Sequence, residues 1–316
     1  MAGKLASQVF KGDHRAVAKA ISVVEAGGEP CRKLIQELYP RTGKGFTIGV
    51  TGPTGTGKST LVDKIVEEYR KRGRRVGVLA IDPSSEFTGG ALLGDRLRMM
   101  DHTLEKEVFI RSMASRGDIG GLARAARNTI RVLDAAGFDV VIVETVGAGQ
   151  TEVDVASAVD ATVVVLMPHL GDEVQAFKAG FAEIGDVFVI NKADLVNPAK
   201  TMYNIASGLE ERDGWRPLVL KTVALKGTGV SAVVDALEKF RQYSQTNGLR
   251  ERRMRERIEA ELVEAAFSDF YNETFERLKS RKELSAMVGR VVKRELDPET
   301  AATRLVKTIE KIGDNI

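Results

Sequence analysis

Lys58 and Ser59 stand directly behind three glycines in Gly52-Pro-Thr-Gly55-Thr-Gly57-Lys58-Ser59-Thr60, a spacing of residue types suited to a polyphosphate. The glycines let the N–H groups of Gly55, Thr56 and Gly57 turn inward around phosphate oxygens, and a helix starting at Lys58 adds partial positive charge. Lys58 is placed for the β- and γ-phosphates, the Ser59 hydroxyl for Mg²⁺, and Thr60 closes the binding run. A second group, Asn191-Lys192-Ala193-Asp194, reads the base. The Asp194 carboxylate can accept from guanine N1–H and N2–H₂, a donor pair that adenine lacks, so the wrong base leaves the acid unpaired. Asn191 can bridge guanine N7 and the loop, the Lys192 stem can cover the base, and the Ala224 N–H can reach guanine O6. GTP is therefore expected over ATP.

These groups need a scaffold that brings distant segments to one edge. Phe46–Val50 reads as a buried strand feeding the loop, followed by an amphipathic helix with Leu61, Val62, Ile65 and Val66 on one side. Further strands are expected at 75–81, 108–111, 138–143, 161–167, 187–190 and 217–222. Helices are expected between them at 121–136, 171–182, 200–211 and 231–243. Strands alternating with helices over this length specify a doubly wound, mainly parallel α/β sheet whose ligand crevice lies along the carboxyl edge. Asp82 and Glu144 each end an apolar strand on that edge, and Glu144 is the acid expected behind a Mg²⁺ ion.

Residues 1–43 are expected to add two short helices outside a nucleotide-binding domain of residues 44–245. Residues 246–316 are expected to be a helical arm. From Arg241 onward sixteen basic and fourteen acidic residues nearly cancel, which disfavours a nucleic-acid arm, as does the formal charge of +3 for the whole chain. Met254, Ile258, Leu262, Ala266, Phe270 and Leu278 fall at helical spacing, with Val263, Phe267, Tyr271 and Phe275 on an adjoining stripe. So wide an apolar face needs a partner surface, and homodimerisation is expected ahead of packing on its own domain. One cysteine, Cys31, forms no internal disulfide, and no apolar run approaches about 18 residues, so a cytoplasmic protein without membrane spans is expected.

The motifs together resemble the MeaB/ArgK-type GTPases, the methylmalonic aciduria type A protein family. The resemblance runs through Gly12-Asp-His-Arg-Ala-Val-Ala-Lys-Ala-Ile-Ser, the phosphate loop, Ile81-Asp-Pro-Ser-Ser, Leu93-Gly-Asp-Arg, Arg116-Gly-Asp-Ile-Gly-Gly-Leu, Glu144-Thr-Val-Gly-Ala-Gly-Gln and Asn191-Lys-Ala-Asp. It covers most of residues 12–240 and, more loosely, the tail. Thr54 departs from it, standing where the family usually has a second proline. The resemblance implies a P-loop GTPase core and a homodimeric chaperone that gates cofactor loading and protects or reactivates an adenosylcobalamin-dependent acyl-CoA mutase. It also implies that Asp82, Asp95 and Glu144 surround Mg²⁺ beside Ser59, and that residues 82–95 and 144–154 are switch segments. Gly147 and Gln150 belong to the second switch, and Lys178 to an additional one at 168–178. The chain has no Asp-x-His-x-x-Gly motif, so any cobalamin belongs to the partner.

Hydrolysis is expected to be in-line attack of water, driven by positioning and by charge stabilisation from Lys58 and Mg²⁺. The residue after Gly147 is Ala148, which cannot orient a water, so slow intrinsic turnover to GDP and phosphate is expected, accelerated by a partner. Arg116 is a further candidate charge donor, with a helix-entry salt bridge as its alternative role. Two other readings are a GTPase for nickel-enzyme maturation and a kinase or transport ATPase. The first needs a metal cluster that His14, His102, His169 and Cys31 do not supply. The second needs an adenine preference.

Overall fold

In the computed structural model, which describes residues 2–82, 105–114, 121–145, 156–168, 180–279 and 282–313, seven strands form one sheet. They are β1 Phe46–Thr51, β2 Val76–Asp82, β3 Val108–Ala114, β4 Val140–Thr145, β5 Ala161–Leu166, β6 Val187–Ile190 and β7 Leu218–Lys221. Their order is β3-β2-β4-β1-β5-β6-β7, and every neighbouring pair runs parallel. The central strands are continuous apolar runs because helices cover both faces.

The helices of eight residues or more are α1 Ala2–Val9, α2 His14–Ala26, α3 Gly28–Leu38, α4 Lys58–Lys71, α5 Gly121–Ala135, α6 Ala199–Gly208, α7 Val230–Thr246, α8 Leu249–Lys279, α9 Lys282–Val292 and α10 Pro298–Gly313. On one face, α4 and α7 pack Leu61, Ile65, Val233 and Phe240 onto Ile48, Val140, Ile142 and Val163. On the other, α1, α2, α3 and α5 cover Leu79, Ile81, Val141 and Val143. A third cluster joins Leu166, Phe188 and Ile190 to Ile205 of α6. The chain enters with three helices rather than two; α1, a single short amphipathic stretch, buries Ala6 and Val9 against the same layer. α2 starts where the Asp13 carboxylate accepts the Ala16 N–H at 2.7 Å.

At the amino edge of the sheet one device recurs. Asp139, Asp160 and Asp186 each precede a strand, and each donates its N–H to the carbonyl of a residue in or directly before the neighbouring strand while its carboxylate accepts that residue's N–H. The pairs are Arg75 with Asp139, Thr47 with Asp160, and Thr162 with Asp186. The first turn of α8 lies against this edge: Arg253 forks onto Asp186 at 3.0 and 3.2 Å, and Arg250 donates to the Gly45 carbonyl at 2.8 Å. Burial pushes the Asp186 carboxyl up, and the Arg253 guanidinium opposes that shift.

The chain divides into two compact units, Met1–Arg253 and Met254–Ile316. The second consists of helices joined by a turn at residues 293–297, with α9 packed on α10. No described helix is long and apolar enough to cross a membrane.

Candidate functional site

Strand pairing assembles the site. β4 lies beside β1 with Val50 opposite Glu144, so the loop that leaves β1 starts next to that acid. Side chains alternate along β4: Val140 and Ile142 enter the layer under α4, and Glu144, two residues on, projects to the same side. There the Ser59 hydroxyl, one residue into α4, donates to Glu144 Oε1 at 2.6 Å. Glu144 is 2% exposed.

The loop holds a shape that only glycine permits at its ends. Gly52 has φ +135°, and a Cβ there would run into the Val165 carbonyl of β5; Gly57 has φ +88°, and a Cβ would strike the Asn191 carboxamide. Between them the Thr56 hydroxyl donates to the Pro53 carbonyl at 2.9 Å. The buried Lys58 ammonium folds onto the loop, donating to the carbonyls of Gly52 at 2.7 Å and Pro53 at 3.1 Å. A flexible four-carbon stem lets that ammonium exchange carbonyl oxygens for phosphate oxygens.

Asn191 follows β6 and joins the loop to the base side. Its Nδ2 donates to the Thr56 carbonyl at 2.8 Å, while its Oδ1 accepts from the Thr222 hydroxyl and the Ala224 N–H, both at 3.0 Å. The Ala224 N–H, the expected donor to guanine O6, thus faces Asn191 here. Lys192 adopts φ +58° and donates from Nζ to the Gly55 carbonyl at 2.7 Å, which lays its stem between the base side and the loop. Asp194 sits in the turn after β6 and accepts from the Lys226 ammonium at 3.0 Å. That hydrogen bond holds the Asp194 carboxyl below the usual carboxylate range. Sequence reasoning did not single out Lys226, and it placed Thr222 only at the strand end that leads to Ala224, without a role for its hydroxyl. Their signal was position alone, in and just before the turn that follows β7.

Gly55, Thr56, Gly57, Lys58, Ser59, Thr60, Glu144, Asn191, Lys192, Asp194 and Ala224 all fall at this end of the sheet, around the carboxyl ends of β1, β4, β6 and β7. Asp82 closes β2 on the same edge. Asp95, Gly147, Gln150 and Lys178 lie outside the described residues, as do Arg116, His102, His169 and most of the helix expected at 171–182.

The donor set suits a hard divalent cation: a hydroxyl and a carboxylate oxygen side by side, with no soft ligand between them. Among the described residues no group of three or more His, Cys, Asp or Glu side chains forms a metal site by itself. Mg²⁺ at a nucleotide takes only one or two protein oxygens, the rest coming from phosphate and water.

The chain matches the family model described as methylmalonyl Co-A mutase-associated GTPase MeaB over residues 17–279. A protein of Pyrococcus abyssi is 45% identical over 315 residues, 98% of this chain and 97% of its own. The mitochondrial methylmalonic aciduria type A homolog of Mus musculus is 35% identical over 266 residues, covering 78% of this chain and 64% of that protein. A solved LAO/AO transport system kinase has a TM-score of 0.71 at 28% identity, with 98% of this chain and 97% of that one covered. With its phosphate loop, its guanine-type tetrapeptide and a family match over most of its length, the chain belongs to the MeaB family of P-loop GTPases.

Proposed function

We propose that this protein binds GTP with Mg²⁺, hydrolyses it to GDP and phosphate, and acts as a homodimeric cytoplasmic chaperone that gates cofactor loading and protects or reactivates an adenosylcobalamin-dependent acyl-CoA mutase. The observation that carries the nucleotide part is Asn191, one side chain bonded to both the phosphate loop and the turn after β7. The mutase part is supported by the family's description as associated with methylmalonyl-CoA mutase.

In this reading the loop N–H groups and Lys58 hold the β- and γ-phosphates, and Asp194 with the Asn191 framework holds guanine. Ser59 and Glu144, with Asp82 and Asp95, would hold Mg²⁺, which neutralises charge on the phosphates when bound. Lys58 leaves the Gly52 and Pro53 carbonyls to meet the γ-phosphate, and its charge stabilises the transition state. No side chain at Ala148 can orient the attacking water. Turnover is therefore slow until the mutase engages the switch segments that contain Gly147, Gln150 and Lys178. Homodimerisation is supported by α8, where Leu262, Val263, Phe267, Phe270 and Tyr271 are all exposed.

The test is the GTPase rate of the purified protein with and without a methylmalonyl-CoA mutase. A slow rate that the mutase stimulates is expected. A fast rate alone, or indifference to the mutase, counts against the proposal.

A further inference from the structure

We infer that Lys226 is a built-in competitor for the base-selecting carboxylate, occupying Asp194 until guanine displaces it. The inference rests on guanine recognition by Asp194, and it concerns a residue for which that recognition has no role.

Beside the backbone bond from the Ala193 N–H to the Thr222 carbonyl, two side-chain ties connect the turn after β6 to the turn after β7, and they differ in kind. The Asn191 tie is buried and made by a neutral carboxamide with fixed partners, Thr222 and Ala224. The Lys226 tie is made at the surface, with side-chain exposures of 65% for Lys226 and 36% for Asp194. The first is framework; the second can open.

The chemistry of the carboxylate makes the two occupants exclusive. Guanine presents N1–H and N2–H₂ as a planar fork that takes both carboxylate oxygens. Lys226 Nζ already lies 3.0 Å from Asp194 Oδ2, where one arm of that fork must arrive. An ammonium and an amino group aimed at one oxygen repel each other, and a lysine stem is free to swing into water. The ion pair is lost when guanine enters, and that loss subtracts from guanine affinity. A surface pair of this kind is worth little, so the subtraction is about two- to fivefold in the dissociation constant. It acts on bases that need the carboxylate and leaves adenine nucleotides untouched.

The test is a calorimetric comparison of GDP and ADP binding to the full chain, its Lys226→Met and Asp194→Asn variants, and the double variant. Lys226→Met should tighten GDP about two- to fivefold at low salt and leave ADP unchanged, with the gain shrinking as added salt screens the pair in the parent protein. In the Asp194→Asn background the Lys226 substitution should have no effect. If Lys226→Met leaves GDP affinity the same or weaker while Asp194→Asn abolishes the guanine preference, the competitor role is overturned and base recognition stands. If Asp194→Asn keeps the guanine preference, the underlying reading of the base site fails, and this inference with it. A Lys226→Met gain that persists in the Asp194→Asn background also overturns it, because the lysine would then act elsewhere.

Discussion

Asn191 Nδ2 meets the Thr56 carbonyl at 2.8 Å across 135 positions of sequence while its Oδ1 accepts from the Ala224 N–H, so the phosphate loop and the turn after β7 share one carboxamide. Asn191→Ala leaves the Thr56 carbonyl, the Thr222 hydroxyl and the Ala224 N–H without that partner in a buried setting. The variant should lose about 2 kcal/mol of stability in urea unfolding and bind GDP at least tenfold more weakly, roughly the penalty for orphaned buried polar groups. Unchanged GDP affinity would show the two halves of the site to be independent.

Glu144 supports Ser59 through a 2.6 Å hydrogen bond from inside the sheet edge. Glu144→Gln keeps an oxygen near the hydroxyl and removes the charge. The Mg²⁺ concentration needed for half-maximal GTP binding should rise about 10- to 100-fold, with little change in melting temperature. A magnesium titration of nucleotide affinity measures it.

The Asp186 and Arg253 pair gives a pH-dependent prediction. Burial has already raised the folded-state carboxyl above its ordinary value, and the guanidinium restrains that rise. Arg253→Met lets it climb further. A carboxyl raised on folding contributes stability at low pH that is lost as pH rises through its folded value, so the variant's deficit should grow with pH. About 3 kcal/mol is expected at pH 8 and clearly less at pH 5, measured by urea unfolding at both.

Phe267 and Phe270 on α8 are 70% and 67% exposed, and a self-associating face would cover both. Phe267→Glu should weaken dimerisation at least about 30-fold in analytical ultracentrifugation while nucleotide binding by the first unit is kept. A parent protein that sediments as a monomer at micromolar concentration would refute the dimer.

The nucleotide end of this fold was readable because its chemistry is local in sequence. Gly52 to Thr60 and Asn191 to Asp194 are short runs at strand ends, and apolar runs such as Val140–Val143 announce the strands that carry them. Boundaries moved by one to three residues: β3 runs on to Ala114 beside β2, and β4 through Glu144 to Thr145, because pairing continues past the apolar run. Helix α1 went unread, since eight residues hold too few periods to separate from background. The Lys226 pair and the arginine contacts of α8 join residues dozens of positions apart, and no local pattern encodes such meetings. The strand-leading acids did leave a trace, an Asp directly before each of Val140, Ala161 and Val187.

Those three acids make the two rims of the sheet mechanically unequal. A slip of one residue between neighbours would tear each carboxylate from its amide and exchange the side chains packed under the two helix layers, so the rim near Asp139, Asp160 and Asp186 works as an anvil. At the opposite rim the described residues add contacts of another kind, lysine ammonium groups on oxygens that they can exchange: Lys58 on the Gly52 and Pro53 carbonyls, Lys192 on the Gly55 carbonyl and Lys226 on Asp194.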